Sequence, residues 1–111
     1  MAGTFEIFKD KAGEFRFRLK SGNGQVVLSS EGYSSKAGAT NGAQSVEKNS
    51  TDSARFERSG SEAGKYRFVL KAANSQVIGT SQSYESEAAR DNGVEAVARA
   101  AQGASVVDLT A

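Results

Sequence analysis

The chain says one thing twice. Gly13-Glu14-Phe15-Arg16-Phe17-Arg18-Leu19-Lys20 returns 51 positions later as Gly64-Lys65-Tyr66-Arg67-Phe68-Val69-Leu70-Lys71. The match extends both ways without a gap. Upstream, Phe5 and Glu6 meet Phe56 and Glu57; downstream, Asn23, Gln25-Val26, Tyr33, Ser35, Asn41-Gly42 and Val46 meet Asn74, Gln76-Val77, Tyr84, Ser86, Asn92-Gly93 and Val97. Such a match marks a duplication, so whatever fold one copy takes the other must also be able to take. A chain of 111 residues can bury one core but not two ordinary ones. The copies, about 4–52 and 54–110, are therefore expected to share one core in a single domain covering 1–111.

Local patterning gives each copy the same elements. Phe15, Phe17 and Leu19 alternate with Glu14, Arg16, Arg18 and Lys20, the period of two of a strand with one face buried. Thr4 to Lys9, with Phe5, Ile7 and Phe8, makes the strand before it, and Asp10-Lys11-Ala12-Gly13 turns the chain back. Ser21-Gly22-Asn23-Gly24 is a second turn, leading to a third strand from Gln25 to about Ser30. Ser34 or Ser35 can cap a helix running to about Lys48, with Ala39, Gly42, Ala43 and Val46 on its apolar face. The second helix, from about Glu85 to Ala101, presents Val94, Val97, Ala98 and Ala101, and Ser105 to Leu109 reads as a short terminal strand. Three strands and one helix are too small to stand alone. The halves are thus expected to join edge to edge in one antiparallel sheet with both helices on one face, an α+β fold. Arg58 and Ser59 stand where the first copy has Ile7 and Phe8, which predicts an edge position or a distortion for the second copy's opening strand.

Composition removes most chemistry. Histidine and cysteine are absent, and with them the usual general base near neutral pH, the thiolate nucleophile and the common zinc ligands. The acidic residues are scattered and form no Ca²⁺ loop. Gly22-Asn23-Gly24 lacks the following Lys-Ser/Thr and helix of a phosphate-binding loop, and a hairpin turn explains it. No catalytic, cofactor-binding or metal-ligating residue is assigned, and the chain reads as non-enzymatic. A net charge of +1 supplies no long-range field. With no apolar run of membrane-spanning length and no secretory pattern at Met1 to Glu6, the expectation is a cytoplasmic protein without a membrane partner.

Comparison of the copies points to a surface. Val27 and Ile78 stay branched while Leu28 becomes Gly79, which places Val27 and Ile78 on the core side and Leu28, with Val26 and Val77, on the open side. The candidate binding face is then Arg16, Arg18, Lys20, Val26, Leu28, Arg67, Val69 and Lys71. A solvated face is the first reading of these residues, ahead of a binding site, with Glu6 pairing Arg16 and Arg18, and Glu57 pairing Arg67, across strands. As a site, its mixture of apolar and basic groups suits a protein partner. Nucleic acid or another polyanion ranks below, because Phe15, Phe17, Tyr66 and Phe68 have core parity and cannot stack on bases. The repeated helical Asn-Gly predicts a close approach to the helix, since Gly there costs about 1 kcal/mol relative to Ala. Tyr33 and Tyr84 are expected to close the core at the helix starts. Lys36 beside Tyr33 and Ser35 superficially suggests a catalytic pairing, but Glu87 occupies that place in the second copy. Because the copies complete each other's sheet, a monomer is expected.

Phe-x-Ile at the start, Gly-Glu-Phe-Arg-Phe-Arg-Leu-Lys, Asn-Gly-Gln-Val, Tyr-x-Ser-Lys and the Asn-Gly-x-x-Ser-Val of Asn41 to Val46 together resemble the YegP-like family of small bacterial tandem-repeat proteins. The resemblance covers Phe5 to Ala101. It implies β-β-β-α-β units in a single sheet, the final strand of each exchanged to the other half, which would set Val106 to Leu109 beside the first repeat. It implies no activity, for the family has a fold and no established function.

Overall fold

The computed structural model describes residues 2–60 and 65–110. In chain order it contains β1 (Thr4–Lys9), β2 (Phe15–Lys20), β3 (Val26–Ser29), α1 (Lys36–Asn49), β4 (Phe56–Ser59), β5 (Arg67–Lys71), β6 (Val77–Thr80), α2 (Glu87–Ala101) and β7 (Ser105–Asp108). A single 3₁₀ turn, Ser53–Arg55, leads into β4. The strands form one sheet in the order β4-β5-β6-β3-β2-β1-β7. The repeats meet at β3 and β6, where Ser29 lies opposite Thr80. Those residues are equivalent under the 51-residue shift, so the pseudo-twofold axis passes between them.

The sheet is antiparallel except at one edge, where β7 runs parallel to β1 with Phe5 opposite Val106. The terminal strand of the second repeat thus lies beside the first, as the family resemblance implies. After α1 the chain passes directly into β4 instead of making a separate strand. Phe5, Phe56 and Val107 are successive 51-residue steps, so β1, β4 and β7 occupy one repeat position three times. As Arg58 and Ser59 anticipate, β4 is an edge strand and is shorter than β1. Arg58, where the first copy has core residue Ile7, instead reaches Asp91 of α2 at 3.0 Å.

Both helices cover the same face. Ser35 and Ser86 cap them, accepting from the N–H groups of Gly38 at 3.0 Å and Ala89 at 3.1 Å. Their buried residues are small, and the sheet supplies the bulk through Phe5, Ile7, Phe17, Leu19, Phe56, Phe68 and Leu70. In the first repeat Phe5 meets Phe17 edge to face at 5.8 Å and Phe17 stacks on Tyr33 at 6.4 Å. Phe56, Phe68 and Tyr84 repeat the arrangement at 5.7 and 6.2 Å. Along α2, Ala100 is buried and Ala98 only half-buried, because the N-terminal segment crosses there and Gly3 donates its N–H to the Ala100 carbonyl at 2.9 Å.

The tyrosines account for the helical glycines. A Cβ on Gly42 would stand 2.5 Å from the Tyr33 hydroxyl and 2.9 Å from the Phe17 ring, and one on Gly93 would strike Tyr84. The aromatic residue preceding each helix folds back over it where no side chain fits.

The third strand corrects one expectation. A bulge beside β2 pairs Leu19 with Leu28 and Lys20 with Val26, leaving Val27 as the extra residue. A bulge breaks strict alternation, so Val27 and Leu28 are both buried and Leu28 is only 1% exposed. Leu28 belongs to the core, not to the open face. A Cβ on Gly79 would collide with the Leu28 side chain. The Leu28 and Gly79 difference is therefore a large-for-small fit across the pseudo-twofold axis, not the mark of an open-face position.

Candidate binding face on the helix-free side

Strand registers define a continuous row across the open face: Glu57, Val69, Thr80, Ser29, Arg18, Glu6 and Val107. One flanking row holds Lys71 beside Val77 in the second repeat and Val26, Lys20 and Thr4 in the first. The other holds Ser59 beside Arg67, and Arg16 beside Phe8. Of the residues expected there, Arg16, Arg18, Lys20, Val26, Arg67, Val69 and Lys71 share this side and Leu28 does not. The short side chains of Ser29 and Thr80 separate them into two groups, one on β2 and the start of β3 and one on β5.

Carboxylates engage most of the cations. Arg18 contacts Glu6 at 2.6 Å, with Lys20 at 3.3 Å from the same oxygen, and Arg16 contacts Asp10 at 2.6 Å. The hydrogen bond from Arg18 holds the Glu6 carboxyl below its usual range against a smaller opposing effect of burial, with Lys20 assisting. Asp10 is lowered first by Arg16 and then by the backbone N–H groups of Glu14 and Ala12. In the second repeat Glu57 pairs with Lys71 at 2.5 Å. Arg67, expected to take that role, instead donates to Ser83 Oγ at 2.9 Å. Glu57 lies opposite Val69, where the first repeat has Arg18, so no cation faces it directly and Arg67 and Lys71 are its diagonal neighbours. Exposed pairs of this type contribute at most about 1 kcal/mol each; their effect is to spread charge evenly over the face.

Sequence patterning alone missed an apolar corner. Phe8 lies on the open side with Arg18 over its ring at 4.5 Å. Alternation from Glu6 is a signal sufficient to find it. Val107 lies opposite Glu6 at 40% exposure, and Leu109, two residues on and donating its N–H to the Ile7 carbonyl at 2.8 Å, is 48% exposed. Their place beside Phe8 depends on the parallel β1–β7 pairing, which no local pattern specifies. Val26, at 36%, is the exposed apolar residue of the β2–β3 corner.

Elsewhere the surface of the described residues includes shallow hollows. One of about 400 Å³ lies between the β2–β3 turn and α2, lined by Ser21, Asn23, Val27 and Arg99 among others. The second, about 490 Å³, lies at the C-terminal ends of the helices, lined by Ala2, Ser50, Thr51, Ala98, Arg99 and Gln102. Among the described residues neither is lined by a carboxylate, and no three His, Cys, Asp or Glu side chains gather as a metal site. Tyr33 and Tyr84 have hydroxyl pKa values raised by burial, reinforced at Tyr33 by the charge of Glu31 and opposed at Tyr84 by Gln82. Their rings pack in the core, which accounts for the shift. No described helix is long and apolar enough to cross a membrane.

Fold and surface define a class: an α+β tandem-repeat protein with one sheet, two helices on one face, and a charge-balanced, partly apolar surface on the other. The chain belongs to the family described as Domain of unknown function (DUF1508), which matches residues 10–57 and again 61–108. The starts of these segments differ by 61 − 10 = 51, the offset of the internal repeat. It is 61% identical over 109 residues to the UPF0339 protein in the ptx operon 5′ region of Stutzerimonas stutzeri, covering 98% of both chains. It is 46% identical over 97 residues to UPF0339 protein YegP of Escherichia coli K12, covering 87% of this chain and 88% of that one. The solution NMR structure of a UPF0339 protein from Shewanella oneidensis superposes with a TM-score of 0.92 at 47% identity, covering 99% of this chain and 93% of the other. That of E. coli YegP, described as a protein of unknown function, gives 0.92 at 44% identity with 99% and 95% covered.

Proposed function

We propose that this protein is a non-catalytic interaction module that binds another protein through the helix-free face of its sheet. The observation that carries the reading is the pairing of apolar and basic groups on that face. Phe8, Val107, Leu109, Val26 and Val69 stand among Arg16, Arg18, Lys20, Arg67 and Lys71, while the opposite face is filled by helices. Arginine over an aromatic ring beside exposed aliphatics is the composition from which interface hot spots are built. Charge balance favours a protein over a polyanion: Glu6, Asp10 and Glu57 already engage Arg16, Arg18, Lys20 and Lys71. Phe8 has its ring covered by Arg18, which removes it as a free platform for base stacking.

The test compares proteins captured from a bacterial lysate by the wild-type chain and by Val69→Glu and Phe8→Glu, with folding of each checked by circular dichroism. A protein retained by wild type and lost by a folded face variant is the expected result. Identical capture by all three chains would refute the assignment of this face. A parallel ¹⁵N shift titration with a short oligonucleotide tests the alternative. Shifts on Arg16, Arg18, Lys20, Arg67 and Lys71 that fade with salt would put polyanion binding first.

A further inference from the structure

The two edges of the sheet are treated differently. Edge strand β4 carries Glu57 and Arg58, its Arg58 tied to Asp91, and Arg90 of α2 donates to its Ser59 carbonyl at 3.1 Å. Charge and a covering side chain are common guards against edge-to-edge pairing. Edge strand β7 reads Ser105-Val106-Val107-Asp108, and every residue in it is exposed. Of the four large apolar side chains exposed among the described residues, Val106, Val107 and Leu109 belong to this terminal segment. Within it the one charge is Asp108, held by Lys36 at 2.9 Å.

The hydrogen bonds show what this edge offers. Ser105 and Leu109 direct their N–H groups inward, to the carbonyls of Gly3 at 3.3 Å and Ile7 at 2.8 Å. In a parallel ladder alternate residues face opposite ways, so Val106 and Asp108 direct their N–H and C=O groups away from β1. We propose that this free edge pairs with the same edge of a second copy of the chain, antiparallel, about a twofold axis through Val107.

Side chains favour that register over its neighbour centred on Asp108. A twofold axis normal to the sheet keeps the helices of both copies on one side, so each residue must meet one of the same face. Centring on Val107 sets Val106 opposite the partner's Asp108 in hydrogen-bonded pairs that use the outward groups of both. Val107 then meets Val107 of the partner subunit in a non-hydrogen-bonded pair, the geometry in which opposing side chains come closest. Ser105 faces the partner's Leu109. Centring one residue further on would oppose Asp108 to the partner's Asp108. The Val107 register has no like charges opposed, and being isologous it closes at two copies. The repeats complete each other at β3–β6 but leave β7 open, so the premise for a monomer does not extend to this edge. In the dimer the Phe8, Val107 and Leu109 corners of both copies meet on the open face around the axis. The pairing stands independently of the function proposed above.

The test is sedimentation velocity on the full chain from micromolar to millimolar concentration, for wild type, V107K, V106P and an equimolar mixture of V107K with V107E. Wild type is expected to shift from monomer to dimer and saturate there. V107K opposes two cations at the axis and weakens association by about tenfold or more. V106P removes an outward N–H that no described intramolecular bond uses, a place where an edge strand tolerates proline, and it should abolish the dimer. The V107K and V107E mixture should restore it. The proposal is overturned if wild type stays monomeric at millimolar concentration, if assembly continues past the dimer, if V106P dimerises like wild type, or if the mixture associates no better than V107K alone.

Discussion

Replacing Gly42 by alanine sets two opposed effects against each other. Alanine in a helix interior is favoured over glycine by about 1 kcal/mol, and on propensity alone the substitution should stabilise the protein. The new Cβ, however, would lie 2.5 Å from the Tyr33 hydroxyl and 2.9 Å from both Tyr33 Cζ and the Phe17 ring. Neither neighbour moves easily. Phe17 is fully buried, and Tyr33 exchanges backbone hydrogen bonds with Phe15 at 2.7 and 2.8 Å while its ring stacks on Phe17. Overpacking a core costs roughly 1–3 kcal/mol; contacts this short against two anchored rings belong at about 2–3 kcal/mol of that range, so the clash should outweigh the gain of about 1 kcal/mol and leave a net loss of about 1–2 kcal/mol. For a domain of this size that lowers Tm by roughly 3–10 °C. Thermal and urea unfolding followed by circular dichroism measure it, with Asn41→Ala as control, an exposed neighbour where helix propensity acts alone. Combining Gly42→Ala with Tyr33→Phe removes the closest atom and should cost less than the two single changes summed. If Gly42→Ala were as stable as wild type or more so, close approach of Tyr33 could not be why glycine stands there.

Leu28→Ala should cost about 2–5 kcal/mol, as for a buried leucine, and Val26→Ala less than about 1 kcal/mol; equal small losses in urea unfolding would return Leu28 to the open face. Tyr33 and Tyr84, their pKa values raised above 10.0 by burial, favour the protonated phenol in the folded state. Their contribution is complete below the unfolded pKa and falls away as pH rises through the folded values. Unfolding curves should therefore weaken above about pH 10, and the Tyr33→Phe, Tyr84→Phe double variant should show a shallower decline; an unchanged slope would contradict the assignment. Asp108 is lowered to about 2, first by the Thr110 hydroxyl and then by Lys36 and the Thr110 N–H. A depressed acid contributes stability above its unfolded pKa that is lost as pH falls through the folded one, here between the ordinary 3.8 and about 2. Carboxyl ¹³C titration should show this low value, and Lys36→Ala should raise it.

Local chemistry accounts for much of what is legible in the sequence. Alternation in Phe15 to Lys20 needs only the geometry of a strand, a cap at Ser34 or Ser35 needs only the orphan N–H groups of a helix start, and the 51-residue match needs only comparison of the chain with itself. Phe8 is within reach of the same alternation. Leu28 is not, because a bulge depends on how β3 seats against β2, and one inserted residue undoes the parity on which its assignment to the open face rests. Partner choice among the cations follows the residues at one shared register: Glu6 faces Arg18, whereas Glu57 faces Val69 at the equivalent place and takes its diagonal neighbour Lys71.

By itself, then, the sequence determined two equivalent β-β-β-α units, their core-facing residues on β1, β2 and β5, the glycines each helix requires and the absence of histidine and cysteine chemistry. Tertiary structure alone decided that the repeats meet at Ser29 and Thr80, that Leu28 fills the space above Gly79, and that β7 lies parallel to β1 with its outer edge free. The first group depends on bonds and contacts made within a few residues. The second depends on which distant segments meet, and there a side chain's environment is set by a neighbour that its own stretch of chain does not specify.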